Sequence, residues 1–154
     1  MIFSHKVSSV KFLQSELIDV TTNLDDLNRV LLWFDGFDHT LVPSLEWFQS
    51  KLALAEGFTN AVRHAHRGLL PDTPIEIQLN ILFDCLEIRI WDRGSSFNLE
   101  AMIRCLPNEV DREAGGGRGL KLMQKMADGL SYTRTADQRN CLLFVKRYIR
   151  RDMD

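Results

Sequence analysis

The stretch Leu52-Ala-Leu-Ala-Glu-Gly-Phe-Thr-Asn-Ala-Val-Arg-His-Ala-His66 decides how the rest of the chain is read. Leu45, Phe48, Leu52, Ala55, Thr59 and Val62 recur at i+3 and i+4 spacing, which predicts a helix with these residues turned to a core. Glu56 and Asn60 are four apart and share one side of that helix, at the border of the apolar face. Taken alone they read as a solvated polar pair. The neighbouring ridge Ala53, Gly57, Ala61, Ala65 clears a strip of helix surface that either a second helix or a ligand could fill. Two glycine-bearing loops further along favour the ligand.

Outward from this helix the chain is short and evenly composed. Its 154 residues are 45% hydrophobic and 26% charged, which suits one globular domain over 1–154 with its core at about 10–148. A formal net charge of −2 argues against a nucleic-acid or membrane-surface partner. Cys85, Cys105 and Cys141 lack metal-ligand spacing and read as reduced thiols. The start, Met1 to Lys6, holds no signal-peptide run, and no stretch approaches the ~20 apolar residues of a membrane span. A cytoplasmic protein is expected.

Val10–Gln14 predicts a short strand, and Thr22-Asn23 cap a helix from about Asp25 to Phe34 that Gly36 ends. Pro43-Ser44 opens the long helix, expected to run to Arg67 with Gly68 as its stop. Ile75, Ile77, Leu79 and Ile81 alternate with polar residues, as do Leu86, Ile88 and Ile90, with a turn at Asp84-Cys85. These make an antiparallel hairpin that runs straight into Trp91-Asp92-Arg93-Gly94-Ser95-Ser96-Phe97. A short helix over Leu99–Cys105 and a polar loop over Pro107–Gly119 follow, then a helix carrying Leu120, Met123, Met126 and Ala127. Strands near Leu130–Thr135 and Cys141–Tyr148 close the chain, and the basic tail Lys146–Arg151 reads as a solvated end. The order predicts an α+β sandwich with helices on one face of a mixed, mostly antiparallel sheet. A parallel nucleotide fold is disfavoured, because the middle strands are joined by a turn too short for a helical crossover.

Gly115-Gly-Gly-Arg-Gly119 ahead of a helix is suited to anions: glycines turn backbone N–H groups outward, and the helix N-terminus adds its dipole. It lacks the lysine and hydroxyl residue of a P-loop. Asp92, ending a strand, could accept from an amino group on a flat ligand, with Gly94 admitting the ring to the backbone. Alone, these two signals also read as a flexible linker and an Asx turn.

In their order and spacing the three segments together resemble the Bergerat-type ATPases, the superfamily of gyrase, Hsp90, MutL and the histidine-kinase catalytic domain. Within it they are most similar to the bacterial anti-sigma-factor serine kinases. Glu56-Gly-Phe-Thr-Asn60-Ala-Val-Arg-His64-Ala looks like the N-box, Asp92-Arg-Gly94-Ser-Ser-Phe97 the first glycine box, and Gly115-Gly-Gly-Arg-Gly119-Leu the second. The resemblance implies ATP and Mg²⁺ as ligands, with Asn60 binding the metal. It implies Glu56 as the group that accepts or orients the proton of the attacking serine, and Asp92 and Gly94 as the adenine contacts. Gly115, Gly117 and Gly119 would form a lid over the phosphates; Arg118 would reach the γ-phosphate on grounds of charge alone. His64 carries no assigned role.

The implied partners are a sigma factor, held by one surface, and an anti-anti-sigma protein, phosphorylated on serine or threonine. A homodimer through the N-terminal strand and helix region is implied as well. Two positions depart from the family pattern. Ser96 stands where the wider superfamily prefers a second glycine, and Asn140-Cys141 where it carries Gly-Thr, at the expense of a hydroxyl contact to nucleotide. The expected function is therefore an ATP-dependent serine kinase and anti-sigma factor. The alternative is a non-catalytic, ATP-gated interaction module of the same fold. A detached histidine-kinase domain ranks last, since no phosphoacceptor helix hairpin is visible.

Overall fold

The computed structural model describes residues 12–105 and 118–153. Among these residues five strands form one sheet: β1 (Phe12–Val20), β2 (Ile75–Leu82), β3 (Cys85–Asp92), β4 (Gly129–Arg134) and β5 (Asn140–Arg147), in the order β1-β2-β3-β5-β4. The helices are α1 (Leu27–Asp35), α2 (Ser44–Asn60), α3 (Leu99–Cys105) and α4 (Arg118–Met126). The α+β architecture is as expected, but every ladder among the described residues is antiparallel rather than mixed. α1 and α2 separate β1 from β2, and the chain returns to the sheet antiparallel to β1. β3 and β4 do run in the same direction, and β5 lies between them.

The alternation in β2 and β3 is resolved cleanly. Ile75, Ile77, Leu79, Ile81, Leu86, Ile88 and Ile90 are buried beneath the helices, while the residues between them turn to the other face. Of the expected first strand, Val10–Gln14, residues Phe12–Gln14 belong to a longer strand that continues through Ser15–Val20, and Val10 and Lys11 lie outside the described residues. As an edge strand it is mostly exposed, so its apolar residues do not alternate as those of a half-buried strand would. The hairpin turn falls on Phe83-Asp84, one residue before the position expected.

α1 begins after a 3-10 turn (Leu24–Asp26) capped by the Asn23 side chain, which accepts from the Asp25 N–H at 2.9 Å. It is joined to α2 by stacked Phe34 and Trp47, 4.1 Å between ring centroids, and by the Lys51–Asp35 ion pair at 2.7 Å. The orientation of α2 corrects the expectation. Leu45 and Phe48 are 62% and 61% exposed, and the buried face is Trp47, Ser50, Ala53, Leu54, Gly57, Phe58 and Ala61.

The cause is the strip of small residues. A Cβ on Gly57 would lie 2.6 Å from Ile90 Cδ1 and 3.4 Å from Leu142 Cδ2, so the helix rests its smallest residues on β3 and β5. The strip is thus filled by the sheet, with Met123 of α4 beside it. The α-helical turns stop at Asn60, and Ala61–Ala65 form a π-helical turn closed by the His66 N–H on the Ala61 carbonyl at 2.8 Å. Gly68, at φ +82°, stops the chain as expected.

The basic tail is tied down rather than free. The Arg151 amide donates to the Leu41 carbonyl at 3.0 Å and its guanidinium to Ser44 Oγ. Arg150 lies over the Phe83 ring at 4.3 Å and pairs with Asp152. Lys146, on β5, donates to the Met126 carbonyl at 2.7 Å. Cys85 and Cys141 carry free thiols. Among the described residues no helix is long and apolar enough to cross a membrane.

Candidate functional site

The three segments singled out in the sequence meet at the C-terminal end of α2. Glu56 and Asn60 stand one turn apart on it, both half-buried. α4 starts at Arg118, two residues earlier than expected, which takes Gly119 into its first turn. Gly119 packs directly on the Glu56 carboxylate: a Cβ there would overlap Oε2 and lie 3.2 Å from Cδ. A negative charge so close to the first turn of a helix is favoured by the helix dipole. Arg118 is exposed at the same end. Gly115 and Gly117, with the rest of the expected lid before Arg118, lie outside the described residues.

On the other side, β3 ends at Asp92, which is 3% exposed and faces the helices. Its carboxylate accepts from three donors of the chain itself. Oδ1 receives the Gly94 N–H at 2.9 Å and Asn140 Nδ2 at 2.8 Å, and Oδ2 receives the Tyr132 hydroxyl at 2.6 Å. Burial first, and the bond to Asp92 second, push the Tyr132 phenol above its ordinary pKa, so it remains a donor. Phe97 stacks on Tyr132, 4.3 Å between centroids. Each carboxylate oxygen offers two lone-pair directions, so Asp92 keeps capacity for a further donor.

Gly94 is required by a close approach of two stretches of backbone. Its missing side chain faces the backbone of Ala65, where a Cβ would overlap the carbonyl oxygen and sit 2.8 Å from the carbonyl carbon. The glycine lets the loop after β3 close onto the π turn. Its own carbonyl accepts from Asn140 Nδ2 at 2.9 Å and Arg134 Nη1 at 3.0 Å.

The departure at Asn140-Cys141 resolves in the same place. Asn140 lies opposite Asp92 in the β3–β5 register and supplies a carboxamide donor to it. Cys141 pairs with Trp91 and alternates onto the other face of the sheet, away from Asp92.

Three contributors escaped sequence reasoning: His66, Tyr132 and Arg134. His66 is 2% exposed, with Nε2 accepting the Arg93 N–H at 2.7 Å. The only advance signal for it was a second histidine at the end of the quoted stretch. Tyr132 and Arg134 alternate on β4 toward Asp92 and Gly94, which becomes legible only once that strand is placed beside β5.

The family model of the histidine kinase-like ATPase domain matches residues 20–146. The chain belongs to that family. Among its relatives, the serine-protein kinase RsbW of Listeria innocua is 36% identical over 98 residues, which is 60% of this chain and 59% of that protein. RsbW of Oceanobacillus iheyensis is 32% identical over 119 residues, 74% of this chain and 70% of that one. The chain therefore spans about three-fifths of the Listeria relative it matches. These relatives bear out the resemblance to anti-sigma-factor serine kinases carried by the three boxes. A solved structure, the SiaB–SiaC complex of Pseudomonas aeruginosa, superposes with a TM-score of 0.57 at 12% identity. It covers 90% of this chain and 92% of that one, and shares its fold.

Proposed function

We propose that the chain is an ATP-dependent serine-protein kinase that phosphorylates an anti-anti-sigma partner and sequesters a sigma factor. The observation that carries this reading is the convergence at the end of α2, where Gly119 packs on Glu56 and Gly94 on Ala65. Glu56 and Gly119, 63 residues apart in sequence, and Ala65 and Gly94, 29 apart, are thereby brought into contact, the second pair next to the buried, multiply hydrogen-bonded Asp92 carboxylate.

The donor set suits Mg²⁺. Among the described residues no three His, Cys, Asp or Glu side chains form a metal cage. Mg²⁺ is commonly held by one or two protein oxygens, with phosphates and water completing its shell. Asn60 would supply an amide oxygen, and the ion, when bound, would neutralise phosphate charge. Asp92 would accept from the adenine amino group, and Gly94 would hold that loop on α2. Arg118 and Gly119, with Gly115 and Gly117, would close over the phosphates.

In the reaction the partner's serine hydroxyl oxygen forms a bond to the γ-phosphorus as the bond from that phosphorus to the β,γ-bridging oxygen breaks. ADP leaves, and Glu56 takes or orients the serine proton. Positioning and charge neutralisation carry most of such a transfer. The protein would act in the cytoplasm as a homodimer.

Incubation with γ-labelled ATP, Mg²⁺ and a single-domain anti-anti-sigma protein tests this. Label should appear on one serine or threonine of the partner and vanish when that residue is alanine. One observation favours a second reading, a module that binds ATP and its partner without transfer: the Glu56 carboxylate is engaged at the start of α4, where it could serve the helix alone. ATP binding with no label transfer would select that reading. Asn60→Ala is expected to remove the Mg²⁺ dependence of ATP affinity, read by nucleotide titration with and without chelator. An unchanged metal dependence would move the metal away from Asn60.

A further inference from the structure

We propose that His66 is the positioning residue that sets the Asp92–Gly94 loop against the end of α2, and that nucleotide affinity depends on its Nε2 remaining an acceptor. The assignment rests on the proposed nucleotide site, of which His66 itself is not a member.

The hydrogen bonds admit one tautomer. Nε2 accepts the Arg93 N–H at 2.7 Å, so in the neutral ring the proton is on Nδ1. Nδ1 lies 2.7 Å from Thr22 Oγ1, whose own proton goes to the Thr73 carbonyl at 2.6 Å. The relay runs from Nδ1–H to Thr22 and on to Thr73, each hydroxyl and ring nitrogen used once. It joins four segments: the approach to α1, the π turn, the loop before β2 and the loop after β3. Thr22 is held to the same loop through its backbone, its N–H donating to the Pro71 carbonyl at 3.0 Å.

The consequence is a fixed spacing. Arg93 separates Asp92 from Gly94, and its amide is anchored on the residue that directly follows the π turn. Gly94 is seated on Ala65, the neighbour of His66. The loop is therefore held to α2 by one contact of shape and one of hydrogen bonding, in adjacent residues. A proton on Nε2 would set two donors against each other and leave only the contact of shape.

The charged groups that face the ring, Asp92 and Arg93, pull in opposite directions. Burial outweighs both and holds the imidazole below its ordinary value of 6.5. The neutral, anchoring form therefore predominates at pH 7 to 8, and its loss falls below pH 6.5.

The test compares wild type with His66→Gln, whose amide oxygen can accept from Arg93 at any pH, and with His66→Leu, which cannot accept. Mg²⁺–ATP affinity is titrated from pH 8 to pH 5.5. The ratio of each variant to wild type is taken at each pH, so that titration of the phosphates cancels. Wild type and His66→Gln should agree at pH 8. As pH falls, wild type should weaken relative to His66→Gln by about fivefold, the worth of one net hydrogen bond. His66→Leu should be weaker than His66→Gln throughout. A ratio of wild type to His66→Gln that does not change with pH overturns the proposal.

A nucleotide-free readout separates this from failure of the site itself. In the ¹⁵N–¹H spectrum of wild type, the Arg93 amide should titrate with the His66 ring, whose Nδ1 carries the proton. If ATP binds to no form at any pH, the nucleotide reading fails, and the Arg93 amide decides the anchoring. An amide that ignores the ring's titration sinks it.

Discussion

Glu56→Gln is expected to lower the rate of phosphoryl transfer by about 10²- to 10⁴-fold, the range a positioned general base contributes, while ATP affinity changes little. The substitution keeps the side chain's length and removes its charge and basicity. Because Gly119 packs against this carboxylate, a neutral amide still fills the contact at the start of α4. What it loses there is the dipole interaction, typically 0.3–1 kcal/mol at a helix terminus, so a small fall in melting temperature should accompany the kinetic loss. The two roles of Glu56 then separate by magnitude. Single-turnover transfer to the partner protein, measured beside ATP titration and thermal melting, decides between them. A variant that transfers phosphate within threefold of wild type but melts several degrees lower would assign Glu56 to the helix and leave the chain without a base.

The parts of this protein that were legible in sequence are those dictated by local pattern. The alternation of Ile75, Ile77, Leu79 and Ile81 placed a strand, and Asn23 and Gly68 marked where helices start and stop. The order of the three boxes pointed to a single site because each is short and spans few structural choices. The facing of α2 was not legible, since it carries large apolar side chains on two sides. Leu45 and Phe48 lie on one, and Trp47, Leu54 and Phe58 on the other. The choice between them is made by Ala53, Gly57 and Ala61, which allow a close approach to Ile90 and Leu142 that the larger residues would prevent. Periodicity records hydrophobicity, whereas this contact is governed by volume.

The partners of Asp92 were hidden for a different reason. Asn140 and Tyr132 reach it from 48 and 40 residues away in sequence, in a register that depends on β5 lying between β3 and β4. His66 likewise takes its meaning from Thr22 and Arg93, 44 and 27 residues away in sequence. A buried polar side chain far from its partners leaves no periodic trace. In α4 the error was one of boundary. Glycine is a poor helix former, so Gly119 reads as the end of a loop, yet the first turn accepts it where a side chain would displace Glu56.

Gly94→Ala and Gly57→Ala make the same chemical change under opposite circumstances, and they should differ sharply. At Gly57 the added methyl meets Ile90 Cδ1 at 2.6 Å, the far end of a side chain that can change rotamer, with Leu142 and Met123 at 3.4 and 3.8 Å. Overpacking of that kind costs typically 1–3 kcal/mol, and a movable contact places it at the low end. At Gly94 the three nearest atoms all belong to the Ala65 backbone, its carbonyl oxygen, its carbonyl carbon at 2.8 Å and its Cα at 3.2 Å, inside a hydrogen-bonded π turn. Nothing there can rotate aside, so the loop must retreat. Retreat strains the Arg93–His66 bond, both donors to the Gly94 carbonyl, and the Gly94 amide's bond to Asp92. The Gly94 variant should therefore melt lower than the Gly57 variant by about 5–10 °C, taking a difference of a few kcal/mol at roughly 2–4 °C per kcal/mol for a chain of this size. Its ATP affinity should fall more than about tenfold, as befits loss of a site's alignment, while the Gly57 variant stays near wild type. Thermal melting and nucleotide titration on the two proteins side by side read both effects. Equal melting temperatures with equal affinities would mean that the loop after β3 does not depend on its seat against α2, and Asp92 would then have to be positioned by Asn140 and Tyr132 alone.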